Sequence, residues 1–208
     1  MGDDLSRVSL RGGGEGEAAR LPGEGGVTLD CGNAGTAMRL LIGALAGRPA
    51  RATLIGDASL SARPMERVAA PLRSVGVHVV TEDGHAPVMV EGSSALEATD
   101  HELAVASAQV VGALTLAALA ADGTTTIHVP GPTRDHTERM LAWMGAPVRR
   151  EGYVTTVQGK AGFGARTVDV PGDISAAAAW LVAGALHPDA HIVIEDVGLN
   201  PSRTGVID

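Results

Sequence analysis

Three runs of the chain, Ala37–Ala46, Val110–Ala120 and Ser175–Leu186, are helix-sized and apolar on nearly every face. A helix without a polar side belongs inside a fold, so all three are expected to be buried. Each run follows a small polar turn. Each leads into a short β-like stretch: Ala52–Gly56, Thr124–Val129 and His191–Val197. Then comes a turn carrying an arginine and, in the first two cases, an amphipathic helix. In Met65–Val75 the apolar residues Met65, Val68, Ala69 and Leu72 recur at helical spacing, with Glu66, Arg67 and Arg73 on the other side. Met140, Leu141 and Met144 repeat that pattern. Gly76 and Gly145 supply C-terminal stop signals. Strands are expected at Val77–Val80 and Pro147–Arg149, and after polar turns at Pro87–Val90 and Tyr153–Val157. One unit therefore reads β-α-β-α-β-β. Residues 92–101 and 158–166 read as linkers.

The unit recurs with a period of roughly 70 residues, which makes the repeat an architectural statement. Complete units are expected at 27–91 and 96–160. Residues 167–208 read as the first half of a further unit. Residues 1–26 read as the remnant of a preceding one, with Arg7–Leu10 as its last strand. Two complete units leave helix faces open, because a repeat cannot bury its apolar face alone. Self-association, a complementing second half or residues 167–208 would cover them. A chain that is part of a longer repeat protein is the expectation.

Composition narrows the chemistry. The chain is 45% hydrophobic but only 2% aromatic and has 28 glycines, so small aliphatic residues must build a closely packed core. Stacking platforms for single-stranded nucleic acid are lacking. A net charge of −8 gives no general attraction to nucleic acid or to anionic membrane. The single cysteine, Cys31, allows no intramolecular disulfide, fits a reducing compartment and reads as a small buried residue, with a reactive thiol beside the glycine turn as the alternative. No secretory signal is read at the N-terminus and no apolar run has bilayer length. A cytoplasmic protein is expected.

Candidate chemistry gathers between Leu29 and Pro64. The turn Gly32-Asn33-Ala34-Gly35-Thr36 opens an apolar helix, so free N–H groups and the positive end of a helix dipole would face out of it. A second turn, Gly56–Ser61, leads to Arg63-Pro64, a guanidinium suited to gripping carboxylate or phosphate. Together they suggest a site for a small, multiply negative metabolite. The first of them, before the apolar helix, could also be only a tight turn. Arg39 and Arg139 read as surface or helix-cap charges. Asp135 reads as an N-terminal charge on the second unit's amphipathic helix, and Asp173 with Ser175 as another helix start.

The motifs GNAGTAMRLL (32–41), GDASLSARPM (56–65), SAQV (107–110), TRDHTERML (133–141) and VPGDISAAA (170–178) resemble, in order and spacing, the 3-phosphoshikimate 1-carboxyvinyltransferase family, also called 5-enolpyruvylshikimate-3-phosphate synthases. The resemblance covers nearly the whole chain and about half of a full family member. It implies an α/β (α+β) fold of β-α-β-α-β-β units with helices inside and sheets outside, in an incomplete two-domain architecture, residues 167–208 belonging to the second domain. It implies enolpyruvyl transfer from phosphoenolpyruvate to shikimate 3-phosphate in the shikimate pathway, with no cofactor and no metal, small anions as the partners, and glyphosate as an inhibitor for which Gly35 leaves room. By the same resemblance Asn33, Gly35, Thr36, Arg63 and Gln109 meet phosphoenolpyruvate. Ser107, Ala108, Gln109, Thr133 and Arg134 meet shikimate 3-phosphate, Ala108 through its backbone where some members carry a serine. The family's acid/base residues have no match here, so no catalytic residue is assigned and the isolated chain is expected to be inactive. A non-catalytic anion-binding module and the sister family acting on a UDP-amino sugar are the alternatives.

Overall fold

The computed structural model describes residues 26–207. The first unit consists of strand β1 (Val27–Asp30), helix α1 (Gly35–Ala46), β2 (Arg51–Ile55), a one-turn helix α2 (Ala58–Ser61), helix α3 (Glu66–Ser74), β3 (His78–Glu82) and β4 (His85–Glu91). The second has β5 (Asp100–Glu102), α4 (Ala108–Ala118), β6 (Thr124–His128), α5 (His136–Trp143), β7 (Val148–Glu151) and β8 (Val154–Gln158). Helix α6 (Ile174–Leu186) follows. The two sheets have the same plan. The first runs β1-β2-β4-β3 and the second β5-β6-β8-β7. In each, the first pair is parallel and the other two are antiparallel. The repeat read in the sequence is therefore a repeat of topology.

Alternation places one face of each sheet inward. Ala52 and Leu54 of β2 are buried while Arg51 and Ile55 are exposed. α1 lies against that face of the first sheet and α4 against the inward face of the second. They cross so closely that a Cβ on Gly43 would sit 2.1 Å from the carbonyl oxygen of Ala113, leaving room only for hydrogen. Met38, Ile42 and Leu54 from the first unit and Val111, Leu114 and Ile127 from the second then share one core. The helices are inside and the sheets outside.

Several expected boundaries move. α1 and α4 begin two residues early, at Gly35 and Ala108, so their first turns include residues that the turn motif had claimed. β5 takes the last residues of the expected linker 92–101, pairing with β6 through Asp100↔Thr126. Met140 is 48% exposed although its spacing suggested a core position; in the short α5 the buried positions are Glu138 and Leu141. The third apolar run does form a helix, but α6 buries only Ile174 and Ala177. The expected strand at 191–197 is irregular, touching Gly172 through a single bridge at Val197. A β-like stretch becomes a strand only when a neighbour takes its hydrogen bonds along its length, and here Gly172 takes only that of Asp196 O, at 2.6 Å. The expected strand at Arg7–Leu10 lies outside the described residues.

Candidate functional site

The turn between β1 and α1 is held from both sides. Gly32 takes φ 53°, and its N–H donates to Asp30 Oδ1 at 2.8 Å. Asp57 receives the Leu60 N–H on one carboxylate oxygen (2.8 Å) and the Asn33 side-chain amide on the other (2.7 Å). These two bonds outweigh the opposing effect of burial and, helped by the Arg63 charge, hold the Asp57 carboxyl below its ordinary pKa. Arg63 in turn donates to Asn33 Oδ1 at 2.5 Å and to its backbone carbonyl at 3.3 Å. Asn33 and Arg63 are thus brought together. Gly35 lies beneath them: a Cβ there would meet Arg39 Nη1 at 2.9 Å and Arg63 Nη1 at 3.1 Å.

Arg39 is no surface charge. It is 3% exposed, because α1 turns that side into the core. Its guanidinium donates to Gln109 Oε1 (2.8 Å), Pro64 O (3.0 Å) and Gly35 O (3.3 Å), while Nε finds no partner. Burial lowers its pKa, and the neighbouring charges of Arg67 and Arg63 lower it further. Gln109 is the hub. Its Oε1 receives Arg39 and, at 3.4 Å, Arg67, while its Nε2 donates to Thr36 Oγ1 at 2.7 Å. A residue at the start of α4 thereby bridges to the start of α1, 73 positions away in sequence.

Two adjoining cavities open on this hub. The larger, about 580 Å³, is lined by Arg67, Ser107, Gln109, Thr133, Arg134 and Ser202. The smaller, about 380 Å³, is lined by Thr36, Gln109, Arg134, His136, Asp173 and Arg203 among others. Ala108 lines both. Thr36, Ser107, Ala108, Gln109, Thr133 and Arg134 are therefore gathered at one opening. Asn33, Gly35 and Arg63 line neither cavity; Gly35 O accepts from Arg39, which joins it to the hub. Ser107 is the N-cap residue of α4, and its hydroxyl makes no capping bond. Thr133 Oγ1 accepts from Arg150 at 2.8 Å.

The rim is polar. Asp135 stands at the start of α5, as expected, but makes no capping bond. It accepts instead from Arg139 (2.8 Å), Asn200 (2.9 Å) and Ser202. Burial would raise its pKa, but the Asn200 and Arg139 hydrogen bonds and the Arg139 and Arg150 charges outweigh it and hold it below the ordinary value. Arg139 is the surface charge expected. Asp173 caps α6 by accepting the Ser175 N–H at 2.9 Å, again as expected. Burial and Asp30 push the Cys31 thiol up, away from the thiolate form that a nucleophile would need. Among the described residues, no three His, Cys, Asp or Glu side chains cluster as a metal site would require, and no helix is long and apolar enough to cross a membrane.

Residues 8–208 match the family model for EPSP synthase (3-phosphoshikimate 1-carboxyvinyltransferase). The chain belongs to the EPSP synthase family. It is 50% identical over 182 residues to the 3-phosphoshikimate 1-carboxyvinyltransferase of Acidithiobacillus ferrooxidans, covering 88% of this chain and 42% of that one. It is 54% identical over 187 residues to that of Parasynechococcus marenigrum, covering 86% and 42%. The structure of EPSP synthase from Acinetobacter baumannii superposes with a TM-score of 0.80 at 45% identity, over 87% of this chain and 41% of that one. The chain thus spans less than half the length of these relatives.

In this EPSP synthase-family chain the sequence reading gave no site role to three arginines that the structure ties to the cluster: Arg39, Arg67 and Arg150. Arg39 carried a readable signal, since a charge inside an otherwise apolar helix must find partners. Arg67 and Arg150 carried none; only the fold brings them to Gln109 and Thr133.

Proposed function

We propose that the two cavities are one side of the cleft in which enolpyruvyl transfer from phosphoenolpyruvate to shikimate 3-phosphate takes place. In this reading Asn33, Gly35, Thr36, Arg63 and Gln109 meet phosphoenolpyruvate. Ser107, Ala108, Gln109, Thr133 and Arg134 meet shikimate 3-phosphate. The carrying observation is the Gln109 hub, where Arg39 and Arg67 converge on one side-chain oxygen beside two open cavities. Arg39, Arg63 and Arg67 stand close enough for their charges to act on one another, and their repulsion is relieved by a bound anion. Units 27–91 and 96–160 build this side, and 167–208 begins a unit of the second domain.

These 208 residues bind substrate but do not turn it over. Enzymatic accelerations correspond to roughly 8–23 kcal/mol of barrier lowering. Proton transfer requires acid/base groups within hydrogen-bond reach of the reacting atoms. The described cavities are lined mainly by donors for holding anions, and Asp173 and His136 also line the smaller one. Calorimetric titration with shikimate 3-phosphate tests the reading. Saturable binding that is lost in Gln109→Ala and Arg134→Ala is expected. A folded chain that shows no binding sinks the cleft assignment, and enolpyruvyl transfer by these residues alone sinks the inactivity.

A further inference from the structure

Behind Thr133 stands a charge pair for which the proposed function has no use. Glu138 of α5 is 4% exposed. It accepts from Arg150 Nη1 of β7 at 2.9 Å. The same guanidinium donates through Nη2 to Thr133 Oγ1 at 2.8 Å and through Nε to Gly152 O at 3.2 Å. A buried ion pair is a poor stabiliser compared with apolar side chains of the same volume, so stability alone gives little reason for it. Its direction is more informative. Arginine has donors and no acceptor, so the Thr133 oxygen can only receive from it. The hydroxyl's own proton must go elsewhere, and among the described residues no acceptor takes it. Thr133 lines the larger cavity beside Ser107 and Arg134. Gln109 treats Thr36 in the same way, donating to its oxygen and leaving its proton free.

We infer that Arg150, held by Glu138, is a positioning residue that fixes Thr133 as a hydrogen-bond donor to the phosphate ester of a ligand in this cavity. Glu138 balances the Arg150 charge, so the pair orients the hydroxyl without adding net charge; Arg134 supplies the charge. The inference rests on the cleft reading above. β7 also provides a control, since the neighbouring Arg149 faces solvent and pairs with Glu151 at 2.6 Å.

The test is titration of the 208-residue chain with shikimate 3-phosphate, followed by calorimetry and by ³¹P NMR of the bound ligand. Arg150→Lys keeps a charge against Glu138, but one ammonium cannot also span Thr133 and Gly152. It is expected to weaken binding roughly fivefold to tenfold, the effect of one lost hydrogen bond, and to displace the bound ³¹P resonance while unfolding stays near the parent's. Thr133→Val gives a loss of similar size, and the double variant is little worse than either single one. Arg149→Met changes nothing. Should Arg150→Lys fold poorly, the apolar pair Glu138→Leu with Arg150→Met replaces it, with the same expected loss. Parent-like affinity with an unmoved ³¹P resonance overturns the inference, as do losses that simply multiply in the double variant. A parent chain that fails to bind overturns the proposed function, and this inference with it.

Discussion

Helices α1 and α4 and helix α6 are built from much the same residues, Ala, Leu, Val, Ile and Gly, and all three lack a polar face. Their surroundings differ. Between the sheets, α1 and α4 bury one another, with Met38, Ile42, Val111 and Leu114 all but inaccessible. In α6, Trp180 is 64% and Leu186 80% exposed. Burial is thus a property of the pair and not of the helix. Composition states what a helix needs, and the neighbouring unit decides whether it is met. The same holds for strands: β2 forms between β1 and β4, whereas the equally β-like 191–197 stays irregular without a ladder.

Glycine substitutions give the sharpest test of that contrast. Gly43→Ala drives a methyl group into the Ala113 backbone, which cannot yield, and should cost about 1–3 kcal/mol or more through overpacking. Gly184→Ala in α6 meets only the flexible tip of Ile192 at 3.1 Å. Alanine's better helix propensity should then stabilise by up to about 1 kcal/mol. Urea unfolding midpoints read both, and equal effects would break the comparison. Leu114→Ala should lose about 2–5 kcal/mol as a core truncation. Leu186→Ala should stay within about 0.5 kcal/mol, as exposed positions do. A large loss at Leu186 would show that α6 is covered in solution, which dynamic light scattering would then reveal as association.

The smallest expected effect concerns His101, buried on β5 beneath α4. Burial pushes its pKa down, with Asp100 opposing weakly. The unfolded chain takes up a proton near the ordinary value of 6.5 while the folded chain resists it until lower pH. Stability should therefore be full above pH 6.5 and fall as the pH drops from there toward the folded value. Melting temperatures between pH 8 and 5 should show this slope in the parent and a flatter one in His101→Phe. An unchanged slope would remove His101 as its source.

What the sequence revealed follows the same division. Apolar periodicity disclosed the helices and the repeat because those signals are local. The Asp173 cap was readable for the same reason, as its partner is two residues away. β5 was missed because three residues carry no period. The strand at 191–197 was over-read because propensity says nothing about partners. At the candidate site, Asn33, Thr36, Gln109 and Thr133 stood inside motifs. The contacts that join them, Arg39 to Gln109 across 70 positions and Arg67 to Gln109 across 42, arise only from the packing of one unit on the next.

The contact between Gly43 and Ala113 also acts as a fulcrum. Thr36 lies seven residues up α1 from that crossing, roughly 10 Å along the axis at about 1.5 Å per residue. Turning α1 on α4 by about 5° would swing that end of the lever by roughly 0.9 Å, enough to part Gln109 from Thr36 at their present 2.7 Å. Bulk added or removed at the pivot would then retune the anion cluster from a distance, with every residue that faces the cavities left as it is.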